Sequence, residues 1–174
     1  MSNTFFVSDP HLGHVNMAIK RGFSSVEEHD ATIIKNWNSV VKKRDIVYLL
    51  GDVTMEKANY EILDSLLGIK KVTGGNHDKF QHTRRMLEYI HSYCGCFSYK
   101  GFIVSHIPVH PFELKRYRGN IHGHVHENTL NNKKYFNVSM ENVDYTPVLF
   151  ESILQFQEDK KILPTWLTKN VFKI

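Results

Sequence analysis

The chain has 174 residues and a net charge of +4, with 41% hydrophobic and 23% charged residues. This composition is typical of one folded domain with a continuous core, and it excludes a chain that must stay disordered. We therefore predict a single domain over residues 1–174. No apolar run has the length of a bilayer span or of a signal peptide core, so we expect a cytoplasmic protein with no membrane partner.

The first half of the chain alternates predicted strands with predicted helices. Short apolar runs rich in β-formers predict strands at residues 4–8, 45–50 and 69–73. Apolar residues at helical spacing predict helices over residues 26–42, 60–67 and 84–89. In each strand the apolar run ends abruptly in a polar loop.

The second half has strands in closer succession. They are predicted at residues 102–105, 119–121 and 134–138, and a short strand or helix is expected within residues 147–174. Strands that alternate with helices first and then follow one another more closely favour an α/β protein. Its sheet structure is expected to be partly parallel and partly antiparallel.

Polar side chains that can bind metals follow directly after the predicted strands. In chain order they are Asp9 and His11, Asp52, Asn76 and His77, His106, and His124 and His126. The carboxyl ends of parallel strands lie along one edge of a sheet, so residues far apart in sequence can meet there. We therefore expect these side chains to form one site.

The residue types point to a catalytic site for divalent cations. Carboxylates and imidazoles bind Mn, Fe, Co, Ni or Zn, and the lack of thiolates argues against a closed structural zinc site. The two oxygens of one aspartate can bridge two cations about 3.5–4 Å apart, which can then share a hydroxide and hold a phosphoryl group. Asp52 is the natural bridge in this sequence.

The order of these residues also resembles a known family, the calcineurin-like metallophosphoesterases. The matching blocks run from residue 9 to residue 126 and read Asp9-x-His11, Gly51-Asp52, Gly75-Asn76-His77-Asp78, a single His106, and Gly123-His124-x-His126. The short chain is similar to the small bacterial and bacteriophage members. The resemblance implies a four-layer sandwich of two mixed β-sheets flanked by helices, with the active site at the strand carboxyl ends.

The resemblance also implies a role for each matched residue. Two divalent ions are expected, with Mn favoured over Fe, Ni, Zn or Co, and Asp52 would bridge them. One ion would be held by Asp9, His11 and His126, and the other by Asn76, His106 and His124. His77 would face the substrate and protonate the leaving group, and Asp78 would orient that imidazole and keep it protonated.

The implied activity is hydrolysis of a phosphate ester by in-line attack of a hydroxide that bridges the two metals. A phosphodiester is favoured over a phosphomonoester because the chain is basic, and nucleotides and oligonucleotides are candidate substrates. The sequence indicates no obligatory protein partner. The alternative is a catalytically inactive scaffold or binding protein on the same fold, because a fold does not guarantee an activity.

Two further residues are predicted to contact the substrate. His14 follows His11 by three positions and is expected to contact the phosphate or support a ligand. Arg118 lies in the basic segment 115–118 and is expected to place its guanidinium beside the phosphate, with a solvated basic loop as the alternative. His122 is interpreted as a packing residue, and His29 is left without a role.

Overall fold

Two mixed β-sheets form the framework of the structure, a computed structural model that describes residues 2–55, 59–128 and 130–158. The strands of the first sheet are β1 (Thr4–Val7), β2 (Ile46–Leu49), β3 (Ile69–Thr73), β4 (Ser92–Cys94) and β9 (Val148–Leu149), in the spatial order β4-β3-β2-β1-β9. Those of the second sheet are β5 (Phe97–Tyr99), β6 (Phe102–Val104), β7 (Gly119–His122) and β8 (Tyr135–Asn137), in the order β5-β6-β7-β8.

Helices flank the two sheets. The α-helices are α1 (Val15–Lys20), α2 (Val26–Val40), α3 (Thr83–Met86) and α4 (Phe150–Glu158), and short 3₁₀ helices lie at Tyr60–Ser65, Phe80–His82, Pro111–Arg116 and Met140–Asn142. No helix in this described part of the chain has the length and hydrophobicity that crossing a bilayer requires. The α/β class, with two mixed sheets flanked by helices, is therefore confirmed.

The longest helix, α2, begins and packs as its sequence predicts. The Ser25 hydroxyl accepts a hydrogen bond from the Glu28 N–H at 3.2 Å, and Glu27 and Glu28 place negative charge in the first turn. Trp37 is fully buried on the inner face of the helix, and its indole N–H donates to the Leu67 carbonyl at 2.9 Å. The buried indole fixes the helix against the first sheet.

The two sheets share one hydrophobic core. Aromatic rings connect them: Phe6 of β1 lies 5.5 Å from Tyr99 of β5, and Phe102 of β6 lies 5.8 Å from Phe150 at the start of α4, measured between ring centroids. Edge-to-face contacts of this kind contribute about 0.5–1.5 kcal/mol each beyond the area that they bury. Burial of both inner faces in one cluster fixes the position of one sheet against the other.

The parallel strands end at one place. In the first sheet β1, β2, β3 and β4 run parallel, and in the second sheet β6, β7 and β8 do. Beyond β1, the Ser8 N–H donates to the Val138 carbonyl at 2.9 Å, and Ser8 forms a parallel bridge with Ser139. This pairing joins the carboxyl edges of the two sheets.

Some predicted elements differ from the structure. The helix expected over 60–67 is a 3₁₀ helix at Tyr60–Ser65, and its buried residues Tyr60, Leu63 and Leu66 recur every three positions, the period of that helix. The predicted helix over 84–89 begins at Thr83 and ends at Met86. The sequence did not predict α1, β4 or β5. Part of the expected carboxyl-terminal element, residues 159–174, lies outside the described residues.

Candidate metal centre

The residues proposed as ligands adopt an uncommon backbone conformation. Eight non-glycine residues among those described have positive φ, and five of them are proposed ligands: Asp9 (58°), His11 (47°), Asp52 (52°), His124 (70°) and His126 (50°). Side chains disfavour this left-handed region, and each such residue costs about 1–3 kcal/mol. Strain of this kind persists where the surrounding structure fixes the loop, and it clusters at functional sites.

Glycines let these loops approach one another closely. A Cβ on Gly75 would collide with Oδ1 and the backbone N of Asp52, and a Cβ on Gly123 would collide with the side chains of Ser8 and Asp9. Gly75 directly precedes the proposed ligand Asn76, and Gly123 directly precedes the proposed ligand His124. Their missing side chains therefore allow the strand-end loops to meet.

The first proposed ligand group is brought together as the sequence predicts. One ligand atom from each of Asp9, His11 and His126 lies within 4.8 Å of the others. In the described part of the chain, Asp9 Oδ1 and both ring nitrogens of His11 are buried without a hydrogen-bond partner. Buried polar atoms are rarely left unpaired, and a cation bound by Asp9 Oδ1 and one of the two His11 nitrogens would give both of these atoms a partner.

The second proposed group converges on the amide oxygen of Asn76. This Oδ1 lies 2.8 Å from His106 Nε2 and 2.8 Å from His124 Nδ1. Two ligands that bind one ion at about 2.1 Å and at a right angle are about 3 Å apart, so the spacing also suits a shared cation. The three side chains are therefore placed as a divalent ion would need them.

Asp52 lies between the two groups. Its Oδ2 is 3.8 Å from His11 Nε2 in the first group and 3.5 Å from His106 Nε2 in the second. Its Oδ1 instead accepts a hydrogen bond from the His77 backbone N–H at 2.9 Å. The bridge inferred from sequence used both oxygens, whereas this geometry leaves only Oδ2 facing both groups.

Asp9 also reaches towards the second group. One ligand atom from each of Asp9, Asp52 and His106 lies within 4.8 Å of the others. The two carboxylates favour positive charge at this point. Burial alone would lower the pKa of His106, but the hydrogen bond to Asp52 and the charges of Asp9 and Asp52 outweigh it and raise the pKa.

Burial sets the charge of the other ligands. Desolvation lowers the pKa of His11 to about 3, against the attraction of Asp52, so this imidazole is neutral and able to bind a metal at neutral pH. For Asp52, burial would raise the pKa, but the hydrogen bond and charge of His106 lower it, which keeps the carboxylate ionised. Desolvation also lowers the pKa of His124.

Two of the histidine ligands are oriented by a second hydrogen bond. His106 Nδ1 lies 2.7 Å from the Leu50 carbonyl, so it carries a proton and leaves Nε2 directed at the cluster. His126 Nδ1 lies 3.0 Å from Oε1 of Glu141. Burial alone would lower the pKa of His126, but Glu141 outweighs it and raises the pKa. Such partners fix both the tautomer and the ring direction.

His77 lies at the exposed side of the cluster. Its side chain is 48% exposed, its Nε2 is 4.0 Å from Asp52 Oδ2, and its ring centroid is 5.7 Å from that of His11. The side chains of His11, Asp52 and His106 are almost fully buried. His77 is thus adjacent to the ligands and open to a molecule that arrives from solvent.

Asp78 has a different role from the one predicted. Its Oδ2 accepts hydrogen bonds from the N–H groups of Asp52 (2.8 Å) and Gly75 (2.9 Å), and its Oδ1 accepts from Val53 N–H (3.1 Å). No hydrogen bond joins Asp78 to the His77 imidazole among the described residues. The expectation that Asp78 orients His77 is therefore corrected, because backbone groups occupy the carboxylate, which joins the Asp52 loop to the Gly75 loop.

The two predicted substrate contacts fall in different places. His14 caps α1 by accepting the Met17 N–H at 2.7 Å, and its ring centroid is 5.9 Å from that of His11. Arg118 precedes β7, at the opposite end of that strand from His124, and hydrogen-bonds to Gln157 at 3.0 Å. The structure thus brings His14 near the cluster and places Arg118 away from it. Buried His122 packs against Tyr135, as interpreted from sequence.

Several residues that contact the ligands were not expected from the sequence. The Ser139 hydroxyl donates to Asp9 Oδ2 at 2.9 Å, and Glu141 contacts His126. Arg21 bonds to the carbonyls of Asp9 and Pro10 and to Glu141. None lies in a recognisable motif. The only available signal was an acidic residue and a serine shortly after the strand predicted at 134–138.

The fold and the cluster together define an α/β protein with a candidate metal centre at the shared carboxyl edge of two mixed sheets. No family model matches the chain. It is 37% identical over 178 residues to uncharacterized protein MJ1445 of Methanocaldococcus jannaschii, an alignment that covers 95% of this chain and 97% of the relative. The chain therefore belongs to the family of that protein.

A bacteriophage protein and a solved structure are also similar to this chain. The gene 66 protein of Mycobacterium phage L5 is 44% identical over 84 residues, which cover 45% of this chain and 41% of the phage protein. Among solved structures, the protein of unknown function AQ665 from Aquifex aeolicus matches with a TM-score of 0.70 and 25% identity, covering 89% of this chain and 99% of that one. AQ665 thus has the same fold.

Proposed function

We propose that the protein is a dinuclear metal-dependent phosphodiesterase of the calcineurin-like metallophosphoesterase type. One observation carries the proposal: a single carboxylate oxygen, Asp52 Oδ2, faces His11 Nε2 at 3.8 Å on one side and His106 Nε2 at 3.5 Å on the other. A shared carboxylate between two sets of ligands is the arrangement that a two-metal site requires. The order of the sequence blocks supports the same assignment.

The ligand sets divide as the resemblance implies. Asp9, His11 and His126 would hold one ion, and Asn76, His106 and His124 the other. The mixture of oxygen and imidazole ligands suits Mn, Fe, Co, Ni or Zn, and the family resemblance favours Mn among them. Two cations bound there would supply a water molecule of lowered pKa and neutralise charge on the phosphoryl oxygens.

His77 would act on the leaving group. Its half-exposed imidazole adjoins Asp52 and is open to a substrate that arrives from solvent. A proton donated from the ring would neutralise the departing alkoxide. His14, whose ring centroid lies 5.9 Å from that of His11, would contact a phosphoryl oxygen.

A diester is the favoured substrate. The cluster is buried on the Asp9 and His11 side and open on the Asn76 and His77 side, so both substituents of a diester can extend into solvent. The net charge of +4 favours an anionic substrate such as a nucleotide or an oligonucleotide.

The test is a metal-dependent assay with matched variants. Metal-stripped protein is restored with Mn, Ni, Zn or Mg in turn and assayed with bis-p-nitrophenyl phosphate and p-nitrophenyl phosphate. Asp52→Asn and His77→Ala remove the bridge and the proton donor. Asp64→Asn and His91→Ala, both exposed and outside the site, are the matched controls.

The proposal predicts nitrophenol release that depends on the metal and is faster from the diester. Loss of one transition-state interaction of this type typically costs about 10²–10³-fold in kcat, so we expect at least this loss in both site variants. The control variants should match wild type. Equal rates for wild type and Asp52→Asn with every metal would contradict the proposal and favour an inactive scaffold.

A further inference from the structure

A buried guanidinium lies behind the first ligand group and contacts the chain segment that carries Asp9 and His11. Arg21 follows α1, and its side chain is only 2% exposed. Its Nη2 donates to the Asp9 carbonyl at 2.7 Å, and its Nη1 donates to the Pro10 carbonyl at 3.1 Å. These two carbonyls lie between Asp9 and His11, both of which have positive φ.

The same guanidinium reaches the third ligand through a carboxylate. Arg21 Nε donates to Glu141 Oε1 at 2.9 Å, Nη2 lies 2.8 Å from the same oxygen in an ion pair, and that oxygen also accepts from His126 Nδ1 at 3.0 Å. Burial alone would raise the pKa of Glu141, but His126 and Arg21 lower it to about 2, so the carboxylate is ionised. The opposite ring nitrogen of His126, Nε2, is left for a metal.

The second N–H of Arg21 Nη1 connects the site to helix α2. Arg21 Nη1 lies 2.8 Å from His29 Nε2, and because a guanidinium only donates, this nitrogen must accept. His29 Nδ1 therefore carries the proton and donates to Asp30 Oδ1 at 2.7 Å, while Asp30 Oδ2 accepts from the Gly13 N–H at 2.9 Å. The loop from Asp9 to Gly13 is thus held at both ends.

Four N–H groups of Arg21 donate hydrogen bonds in this arrangement, two of them to carbonyls between Asp9 and His11, and the guanidinium also forms an ion pair with Glu141, which contacts His126. We propose that Arg21, acting through Glu141 and the loop carbonyls, is a positioning residue for the metal ion of the Asp9, His11 and His126 group and not for the other ion. The inference rests on the proposed two-metal function. Within the described part of the chain, the hydrogen bonds and the ion pair of Arg21 do not reach Asn76, His106 or His124.

The planar fork of arginine is required by this geometry. The guanidinium N–H groups point in fixed directions to two carbonyls, a carboxylate and an imidazole, whereas lysine offers three donors from a single point. Arg21→Lys keeps the charge but cannot satisfy both arms. Loss of a residue that orients metal ligands typically lowers metal affinity about 10- to 100-fold. That loss should fall on one of the two ions.

The experiment measures how many ions bind and how tightly each one binds, rather than activity alone. Metal-free wild type, Arg21→Lys and Glu141→Ala are titrated with Mn²⁺ by calorimetry, and urea unfolding in chelator establishes that each variant is folded. Lys20→Met is the control, because Lys20 is the adjacent residue and makes only an exposed ion pair with Glu127 at 3.6 Å. Glu141→Gln, which keeps an acceptor for His126, is the partial rescue.

Wild type and Lys20→Met should each bind two Mn²⁺ ions, and the affinities of the control variant should match those of wild type. Arg21→Lys and Glu141→Ala should keep one ion at wild-type affinity and bind the other about 10- to 100-fold more weakly, with Glu141→Gln intermediate. If Arg21→Lys does not fold, the Mn²⁺ affinities of Glu141→Ala test the proposal in its place. Two ions at unchanged affinity in a folded variant would overturn the role of Arg21, as would equal weakening of both. Fewer than two ions in wild type would instead contradict the proposed function.

Discussion

Replacing Asp78 with alanine should destabilise the fold itself and not merely weaken catalysis. In the structure this carboxylate accepts hydrogen bonds from the backbone N–H groups of Asp52, Val53 and Gly75. Asp78→Ala removes all three bonds at once. It also releases the loop that holds Asp52 in its left-handed conformation, so Asp52 Oδ2 should lose its place between the ligand groups.

The size of the effect follows from the burial of the donors. The hydrogen bonds from Asp52 and Val53 are buried and the one from Gly75 is partly buried. Each buried donor left unpaired costs about 1–3 kcal/mol, so the two buried ones give about 2–6 kcal/mol. Burial raises the pKa of Asp78 despite the bonds from these N–H groups, which offsets part of their contribution. We therefore expect a loss of about 2–4 kcal/mol.

Urea unfolding followed by circular dichroism, in chelator so that no ion contributes, measures this loss directly. Asp64→Ala, at an exposed position, is the matched control and should stay within about 0.5 kcal/mol of wild type. A folded Asp78→Ala protein with wild-type stability, wild-type metal affinity and no activity would refute the reasoning. That result would restore the sequence-based idea that Asp78 acts on His77.

Three further outcomes are expected. Burial lowers the pKa of His122 to about 4 from its ordinary value of 6.5. Between these two pH values the unfolded chain therefore binds more protons than the folded one. The free energy of unfolding should rise with pH across this window by up to about 3 kcal/mol. In His122→Asn, urea unfolding in chelator from pH 4 to 6.5 should lose that part of the slope, and an unchanged slope would count against the burial argument. Gly123→Ala should cost about 1–3 kcal/mol in the same assay, because its Cβ meets Ser8 and Asp9, whereas Gly95→Ala, whose Cβ meets nothing within 4 Å, should be neutral. Equal stability of these two variants would contradict the close approach. Finally, Mn²⁺ at about a thousand times its Kd should raise the unfolding free energy by about 4 kcal/mol per bound ion, and a transition insensitive to Mn²⁺ would exclude tight binding.

The strand-end residues could be predicted because one rule governs them all. Each of Asp9, Asp52, Asn76 and His106 follows a parallel strand, and strand direction alone brings such residues to a common edge. The strands themselves were readable because their apolar runs end abruptly. The pairing of the two sheets at Ser8 and Ser139 could not be predicted, because a single backbone bridge leaves no pattern in the sequence.

The support of the site depends on contacts that no local pattern encodes. Arg21 and Glu141 are 120 residues apart, and their ion pair exists only because α1 packs beside the turn that follows β8. His29 was given no role for the same reason. Asp78 was assigned to its neighbour His77 in sequence, whereas its actual partners include Asp52, 26 residues away. The order of residues in the sequence predicts proposed ligands at the ends of strands. It does not predict the residues that contact those ligands and hold their loops in place.

The short helices were missed for a related reason. α1 has six residues and buries only Ala18, so it lacks the apolar stripe that identifies an amphipathic helix. Its position is set by caps, with His14 at the start and Arg21 at the end. Both caps lie beside the metal centre. Helix α1 is therefore part of the structure that supports the site, although periodicity gives no sign of it.

The most direct test of the two-metal claim is electron paramagnetic resonance during a titration of metal-free protein with Mn²⁺. If Asp52 joins two neighbouring sites, two ions bind per chain, and the spectrum changes from that of isolated Mn²⁺ to that of a spin-coupled pair as the second ion binds. Diester hydrolysis should rise with the same second equivalent, and Asp52→Asn should lose the coupling. Binding of one ion, or of two ions that remain magnetically isolated, would contradict the account.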